Sequence, residues 1–324
     1  MLNVTLKLLS NSISPALTIT IIALAVLIVL FLACFIGTYF KFKSSFGRRK
    51  KIASKRNKIY KPYIALMEQG AKDFLALNPE EVTLTSLDGL TLKGLFYRNP
   101  QERGTVIFMH GYHGDPTHDF GPILQHFKDL GFSLLLPDQR AHGKSQGKYL
   151  TFGVRESEDC CLWAKFVASQ CPGKPISLHG ISMGGATVGM AGALDIPKEV
   201  KLIAIDCGFT SPDEIIASVR KGMGLPTFPF QYFIRFFAKV FAKISLTEKS
   251  TADCLARCTL PTLFIHGEAD DYVPFYMGQR SFEKSISVDK VMISVKNAGH
   301  GLAYITETER VKRELTDFYT KHMR

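Results

Sequence analysis

The chain has 324 residues, 46% of them hydrophobic and 21% charged, enough for one large globular domain with a substantial core and an appendage. Its net charge of +11 is unevenly placed: residues 1–61 hold eleven Lys and Arg and no acid, whereas residues 62–324 hold 29 bases against 29 acids. The excess therefore belongs to the amino-terminal segment, which excludes a basic nucleic-acid-binding face on the domain.

After a short segment, residues 1–15, the stretch 16–40 is apolar almost throughout, and no charge occurs between residues 8 and 40. At about 1.5 Å per residue it reaches roughly 37 Å, which predicts one transmembrane helix across a ~30 Å hydrocarbon core. A cleaved signal peptide fits poorly, because the run is too long and Lys41 and Lys43 follow it directly. Leu32-Ala33-Cys34 has a faint look of a lipid-attachment site, but apolar residues continue past Cys34. Residues 41–61 then form a basic juxtamembrane linker carrying Lys41, Lys43, Arg48, Arg49, Lys50, Lys51, Lys55, Arg56, Lys58 and Lys61. Positive charge stays inside, so the expectation is a single-pass protein of the cell membrane with its large domain in the cytoplasm. The linker should also lie on anionic headgroups, at around 1 kcal/mol per residue near the surface.

Residues 62–324 read as the domain itself. A short helix is predicted over 62–77, and strands over 82–87, 92–98, 105–110, 133–137, 176–179, 202–206, 262–266 and 290–295. Segments of helical length, such as 154–169, 183–194 and 274–285, separate most of the later strands. This alternation predicts a mostly parallel sheet covered by helices on both faces. The first two strands, joined by Asp88-Gly89, read as an antiparallel hairpin at the edge. Residues 209–255 are too long and too rich in Phe for a plain connection and predict a helical lid. The seven cysteines have no framework spacing and fit a reducing compartment; Cys254 and Cys258 find no second pair or His to complete a zinc set.

Gly180-Ile181-Ser182-Met183-Gly184 falls between a predicted strand and a predicted helix. A turn that tight needs flanking residues without side chains, and it lifts the Ser182 hydroxyl above the sheet. A serine nucleophile needs a base and an orienting acid, following it in the order Ser, acid, His. Only His266, His300 and His322 follow Ser182. His322 lies too near the terminus, and His266 ends a strand, as His110 does, with a packing or turn role expected for both. His300 sits in a glycine-flanked loop after the last strand, which selects it. For the acid, Asp270 and Asp271 follow the strand at 262–266, and Asp206, ending an earlier strand, is their competitor.

These motifs together resemble the α/β-hydrolase superfamily, close to the bacterial serine aminopeptidase-like hydrolases. The resemblance runs from about Val82 to Tyr319 and rests on HGYHGD at 110–115, DQRAHGKSQG at 138–147, GISMGG at 180–185, HGEADDYVP at 266–274 and AGHG at 298–301. It implies an α/β-hydrolase fold with a lid. It places the acid at Asp270, through the pattern G-x-x-D-x-x-V-P, and the oxyanion hole at the backbone N–H groups of Tyr112 and Met183. Ala141 departs from the more common R-G-H-G, and that segment reads as structural, with Asp138 and Arg140 bonding locally. The expected reaction is two-step acyl transfer on a small ester or acyl substrate with a lipophilic part, with no metal and no organic cofactor. An aminopeptidase-like peptidase, or a thioesterase or acyltransferase using the same three residues, is the alternative. Finally, Arg235, Lys239 and Lys243 lie on one stripe of residues 228–244 beside Phe233, Phe236, Phe237, Val240, Phe241 and Ile244. That face is expected either to touch the bilayer or to pack over Ser182.

Overall fold

The computed structural model describes residues 14–48 and 58–324. Residues 1–13, and Arg49, Lys50, Lys51, Lys55 and Arg56 of the basic linker, lie outside the described residues.

The first element is a long helix, α1 (Pro15–Phe46). Ser14 caps it by accepting the Leu17 N–H at 3.2 Å, and Pro15 supplies the preset first helical position. The expected span is thus the middle of a longer helix with two unlike parts. Its amino-terminal part is exposed and apolar, with Ile21, Leu24, Ile28 and Leu32 uncovered, and is long enough to cross a membrane. From Phe35 onward one stripe turns inward, and Phe42 and Phe46 are fully buried in the domain. The chain leaves α1 by pairing with residues 148–150, through Arg48 N–H to the Lys148 carbonyl at 3.1 Å and Leu150 N–H to the Phe46 carbonyl at 2.8 Å.

A turn of 3-10 helix (Lys58–Tyr63) and α2 (Ile64–Ala76) follow, where one short helix was predicted. The sheet then comprises β1 (Glu80–Thr85), β2 (Thr91–Tyr97), β3 (Thr105–Met109), β4 (Ser133–Pro137), β5 (Ile176–Ile181), β6 (Val200–Asp206), β7 (Thr262–Gly267) and β8 (Lys290–Val295). Their order is β1-β2-β4-β3-β5-β6-β7-β8, with only the pairs β1/β2 and β2/β4 antiparallel. The central strands β3 (TVIFM) and β4 (SLLLP) are buried at every position, as strands covered on both faces must be.

The covering helices are α3 (Pro116–Asp129), α4 (Glu156–Gln170), α5 (Met183–Ala191), α8 (Thr251–Leu255), α9 (Phe275–Lys284) and, after the short α10 (Ala303–Thr306), α11 (Thr308–His322). Alternation along β3 separates two cores: Val106 and Phe108 meet Phe74, Phe127 and Tyr319 from α2, α3 and α11, while Ile107 and Met109 meet Trp163, Val188 and Leu255 from α4, α5 and α8. The insertion after β6 contributes α6 (Pro212–Gly222), α7 (Phe230–Phe237), a π-turn over Ala238–Ala242, and α8. Its last helix therefore belongs to the layer beneath the sheet, and only α6, α7 and the π-turn stand away from it.

The aromatic face of the insertion meets α1. Phe233 lies 5.1 Å from Phe31 and 5.0 Å from Phe35, ring centre to ring centre, and Phe237 lies 4.9 Å from Phe35 and 5.5 Å from Tyr39. Such pairs contribute roughly 0.5–1.5 kcal/mol each beyond the area they bury. Arg235 does not simply face water, since it forms a two-pronged pair with Asp213 at 2.6 and 2.8 Å. Phe228, Tyr232 and Phe236 stay exposed, and Phe236 lies 6.1 Å from Phe35 of α1.

Candidate active site

β5 runs directly into Ser182, whose backbone sits at φ 57°, ψ −117°. A non-glycine residue holds such a conformation only at a cost of order 1–3 kcal/mol, which the surroundings must enforce. They do so through the Ser182 N–H, bonded to the Asp206 carbonyl at 2.8 Å, and through the absence of side chains on either side. A Cβ on Gly180 would lie 2.0 Å from the Gly184 carbonyl oxygen, and one on Gly184 would lie 1.7 Å from that of Met109. The motif's spacing is thus a packing requirement. Met183 opens α5, and the first-turn N–H groups of a helix have no acceptor within it.

The loop after β8 brings His300 to this turn. Its Nε2 lies 2.8 Å from Ser182 Oγ, and its Nδ1 lies 2.7 Å from Asp270 Oδ2. Asp270 stands in the loop after β7, where its other oxygen accepts the N–H groups of Tyr272 at 3.0 Å and Val273 at 2.8 Å. Burial alone would raise the Asp270 carboxyl, but the hydrogen bonds from His266 and His300 outweigh it and hold the group well below the usual carboxylate range. His266, expected to pack, bonds the Val273 carbonyl at 2.9 Å and approaches Asp270 Oδ2 at 3.3 Å, so it braces the acid's loop. All three side chains, Ser182, Asp270 and His300, are buried.

The competing acids are placed differently. Asp271 is exposed. Asp206 ends β6 close by, but its Oδ1 is buried without a hydrogen-bond partner, and burial pushes its carboxyl up to about 6 against the opposing charges of His266 and His300. His322 lies against Asp289 at 2.9 Å, away from this cluster.

The loop after β3 forms the facing wall. Gly111 donates its N–H to Asp119 Oδ2 at 2.8 Å, and a Cβ on Gly111 would come within 3.4 Å of Ser182 Cβ. Tyr112 follows, its ring stacked on Phe152 and its hydroxyl donating to the Ser45 carbonyl of α1 at 2.9 Å. His110 serves the turn, as expected, through the Gly111 carbonyl and the Gln139 N–H. Asp138 bonds locally, to the Lys144 N–H at 2.7 Å, but Arg140 does not: it reaches Asp159 at 2.7 Å and Asp88 at 2.9 Å, tying the edge hairpin to α4.

A cleft of about 190 Å³ opens over Ser182 and His300. Besides Gly111, Tyr112 and Tyr272, it is lined by Tyr60 and Met67, from the 3-10 turn and α2. The insertion contributes nothing to it, so the direct cover of Ser182 comes from the end of the basic linker and the helix that follows it. Nothing in the sequence marks Tyr60 or Met67 for this role; each sits in a stretch read only as linker or short helix. Among the described residues, the cluster with metal-ligand chemistry is Cys207, Asp270 and His300, whose donor atoms lie within 4.8 Å of one another. Two of its members already hydrogen-bond each other, so a metal there would break the series that ends at Ser182. Cys254 and Cys258 are buried in separate parts of the core.

Comparison with known proteins points to the same fold. The family model described as serine aminopeptidase, S33, matches residues 100–258, which include Ser182 and Tyr112 and stop short of Asp270 and His300. The chain is 25% identical over 249 residues, 76% of its own length and 81% of the relative's, to the uncharacterized protein YqkD of Bacillus subtilis. It is 22% identical to an uncharacterized membrane protein of Saccharomyces cerevisiae, over 68% of this chain and 73% of that one. The esterase Pf2001 of Pyrococcus furiosus superposes with a TM-score of 0.63 at 25% identity, covering 77% of this chain and 94% of that one. With its sheet order, its Gly-x-Ser-x-Gly turn and these likenesses, the chain has the α/β-hydrolase fold and is similar to the esterase-like hydrolases of that superfamily.

Proposed function

We propose that the protein is a membrane-anchored serine hydrolase that cleaves a carboxylic ester with a lipophilic acyl or alkyl part. The observation that carries this reading is the buried, hydrogen-bonded series from Ser182 Oγ through His300 to Asp270, with links of 2.8 and 2.7 Å. In it His300 takes the Ser182 proton as the oxygen attacks the substrate carbonyl, and returns a proton to the leaving alcohol. The acyl-enzyme is then hydrolysed by a water that His300 activates. Asp270, held ionised by its hydrogen bonds, orients the imidazole and stabilises its cation. The N–H groups of Tyr112 and Met183 receive the developing oxyanion, each donor being worth typically ~3 kcal/mol of transition-state stabilisation.

An ester fits better than a peptide amino terminus. A substrate ammonium would need a carboxylate in the cleft, and the Asp119 carboxylate there is buried and already engaged by the Gly111 N–H. The same three residues would also serve a thioesterase or acyltransferase. The bare apolar part of α1 serves as the membrane anchor, and the basic residues after it favour a cytoplasmic domain.

One reagent tests nucleophile and orientation together. A membrane-impermeant fluorophosphonate should label Ser182 in broken cells and leave intact cells unlabelled, and Ser182→Ala should abolish both labelling and ester turnover. Full turnover in folded Ser182→Ala protein would overturn the mechanism; labelling of intact cells would overturn the orientation.

A further inference from the structure

A second, larger cavity of about 350 Å³ adjoins the cleft, and Tyr112 and Tyr272 border both. One of its walls is α1, through Gly37, Thr38, Lys41 and Ser45; the opposite wall is α6, through Ile215, Ile216 and Val219, with Met223 just past its end. Ile234 of α7 and Phe152 close it further. We infer that this cavity holds the acyl chain of a single-chain lipid ester whose carbonyl lies at Ser182, and that the chain enters from the bilayer along α1. The inference rests on the serine-hydrolase reading above and adds the substrate class and its route.

Chemistry, size and direction all support this occupant. The lining is apolar apart from a few polar groups, its two charged residues, Lys41 and Arg220, are basic, and it contains no acid. A fatty chain finds there the surroundings it needs, and a cationic peptide terminus finds none. The volume corresponds to about a dozen methylene groups, if each takes roughly the ~30 Å³ that a water molecule occupies in the liquid. That is one chain of moderate length, not two.

The direction follows from α1. From Gly37 to Ser45 the helix advances about 12 Å, at 1.5 Å per residue. Its lower end meets the cleft, where the Ser45 carbonyl accepts the Tyr112 hydroxyl. Its upper end, Gly37, adjoins the exposed apolar half, and a Cβ there would have no atom within 4 Å, so the helix surface is open at that point. A chain sliding from lipid into this cavity exchanges one apolar surrounding for another, so it never pays the ~0.8 kcal/mol per methylene of entering water. The anchor is then also a wall of the binding site, and the Phe31, Phe35 and Tyr39 contacts with the insertion hold the two walls at a fixed separation.

The test uses the full-length protein in ether-linked, ester-free detergent micelles, with p-nitrophenyl butyrate and p-nitrophenyl dodecanoate as substrates. The wild type should favour dodecanoate in kcat/KM by about tenfold or more. Gly37→Trp, which fills the open end, and Val219→Trp, which fills the opposite wall, should each lower the dodecanoate-to-butyrate ratio at least tenfold. Leu24→Trp, on the exposed half of α1, should leave the ratio as in the wild type. A ratio unmoved in both cavity variants, or an equal fall on both esters, overturns the acyl site, as does a wild type without chain-length preference. Fluorophosphonate labelling of Ser182 keeps the two readings apart: if the wild type is labelled but shows no preference, only the acyl site fails. If Ser182 is not labelled, the hydrolase reading fails first.

Discussion

The cleft over Ser182 and the apolar cavity beside it are held by different physics. On the sheet side, Ser182, His300 and Asp270 stand on loops at the carboxyl ends of β5, β8 and β7, fixed by backbone hydrogen bonds, an enforced φ at Ser182 and glycines that admit no side chain. On the other side, α1, α6 and α7 are held mainly by rings and aliphatic chains, between elements some two hundred residues apart in sequence. Hydrogen bonds and tight turns fix atoms to fractions of an ångström, as proton transfer requires. Apolar contact tolerates sliding and exchange of side chains, which suits a surface that admits flexible substrates. On the proposed reading, reactivity and access belong to separate regions that meet at Tyr112 and Tyr272.

The largest expected effect sharpens the sheet side. Asp270→Asn should lower kcat/KM by three to four orders of magnitude, as loss of an orienting acid typically does, and His300→Ala by at least as much. Asp206→Asn should cost less than about tenfold, because Asp206 makes no hydrogen bond to His300. Steady-state ester hydrolysis by the three variants decides the matter, and equal losses from the two Asp changes would remove Asp270 from its role.

A smaller effect probes the apolar side. Phe237 is buried against Phe35, Tyr39 and Phe42, and its truncation to Ala should lower unfolding stability by about 3–5 kcal/mol. Ser182 labelling in the folded variant should nevertheless persist at the wild-type rate. If labelling is lost in protein that remains folded, the two regions are coupled after all.

The smallest effect is on stability and its pH dependence. Burial raises the Asp206 carboxyl from 3.8 to about 6. Between those values the folded protein binds a proton that the unfolded chain has lost, so Asp206 favours folding below pH 4 and this contribution fades as pH rises through 6. At pH 8 the ionised, half-satisfied group costs on the order of 2–3 kcal/mol. Asp206→Asn should therefore raise stability at pH 8 and change it little at pH 4, measured by urea denaturation at both. Stabilisation of equal size at both pH values would contradict the assigned titration.

What could be read from sequence follows the same division. The strands and the Ser182 turn were legible because their causes are local: apolar runs of strand length, two glycines, and a strand-to-helix change within five residues. His300 was legible by elimination and loop composition, and Asp270 only through the resemblance, since its bond to His300 depends on how β7 and β8 pair. The meeting of α1 with the insertion was not legible. The aromatic face of residues 228–244 announces only that something covers it, and membrane and protein cover are equally apolar. Arg140 reached Asp88 and Asp159 across the fold for the same reason: a charged side chain in a motif does not name its partner. Tyr60 and Met67 carried no signal at all.

One feature of α1 reaches beyond binding. The helix runs unbroken from its bare apolar half into the buried Phe42 and Phe46, and the chain then pairs at once with residues 148–150. With that apolar half in a bilayer, no swivel separates membrane from enzyme. The domain must keep a constant stand-off from the headgroups and lean as the helix leans. Helix tilt follows hydrocarbon thickness. A thinner or thicker bilayer would therefore swing the mouth of the apolar cavity relative to the lipid surface, making the thickness of the surrounding membrane a mechanical input to the rate.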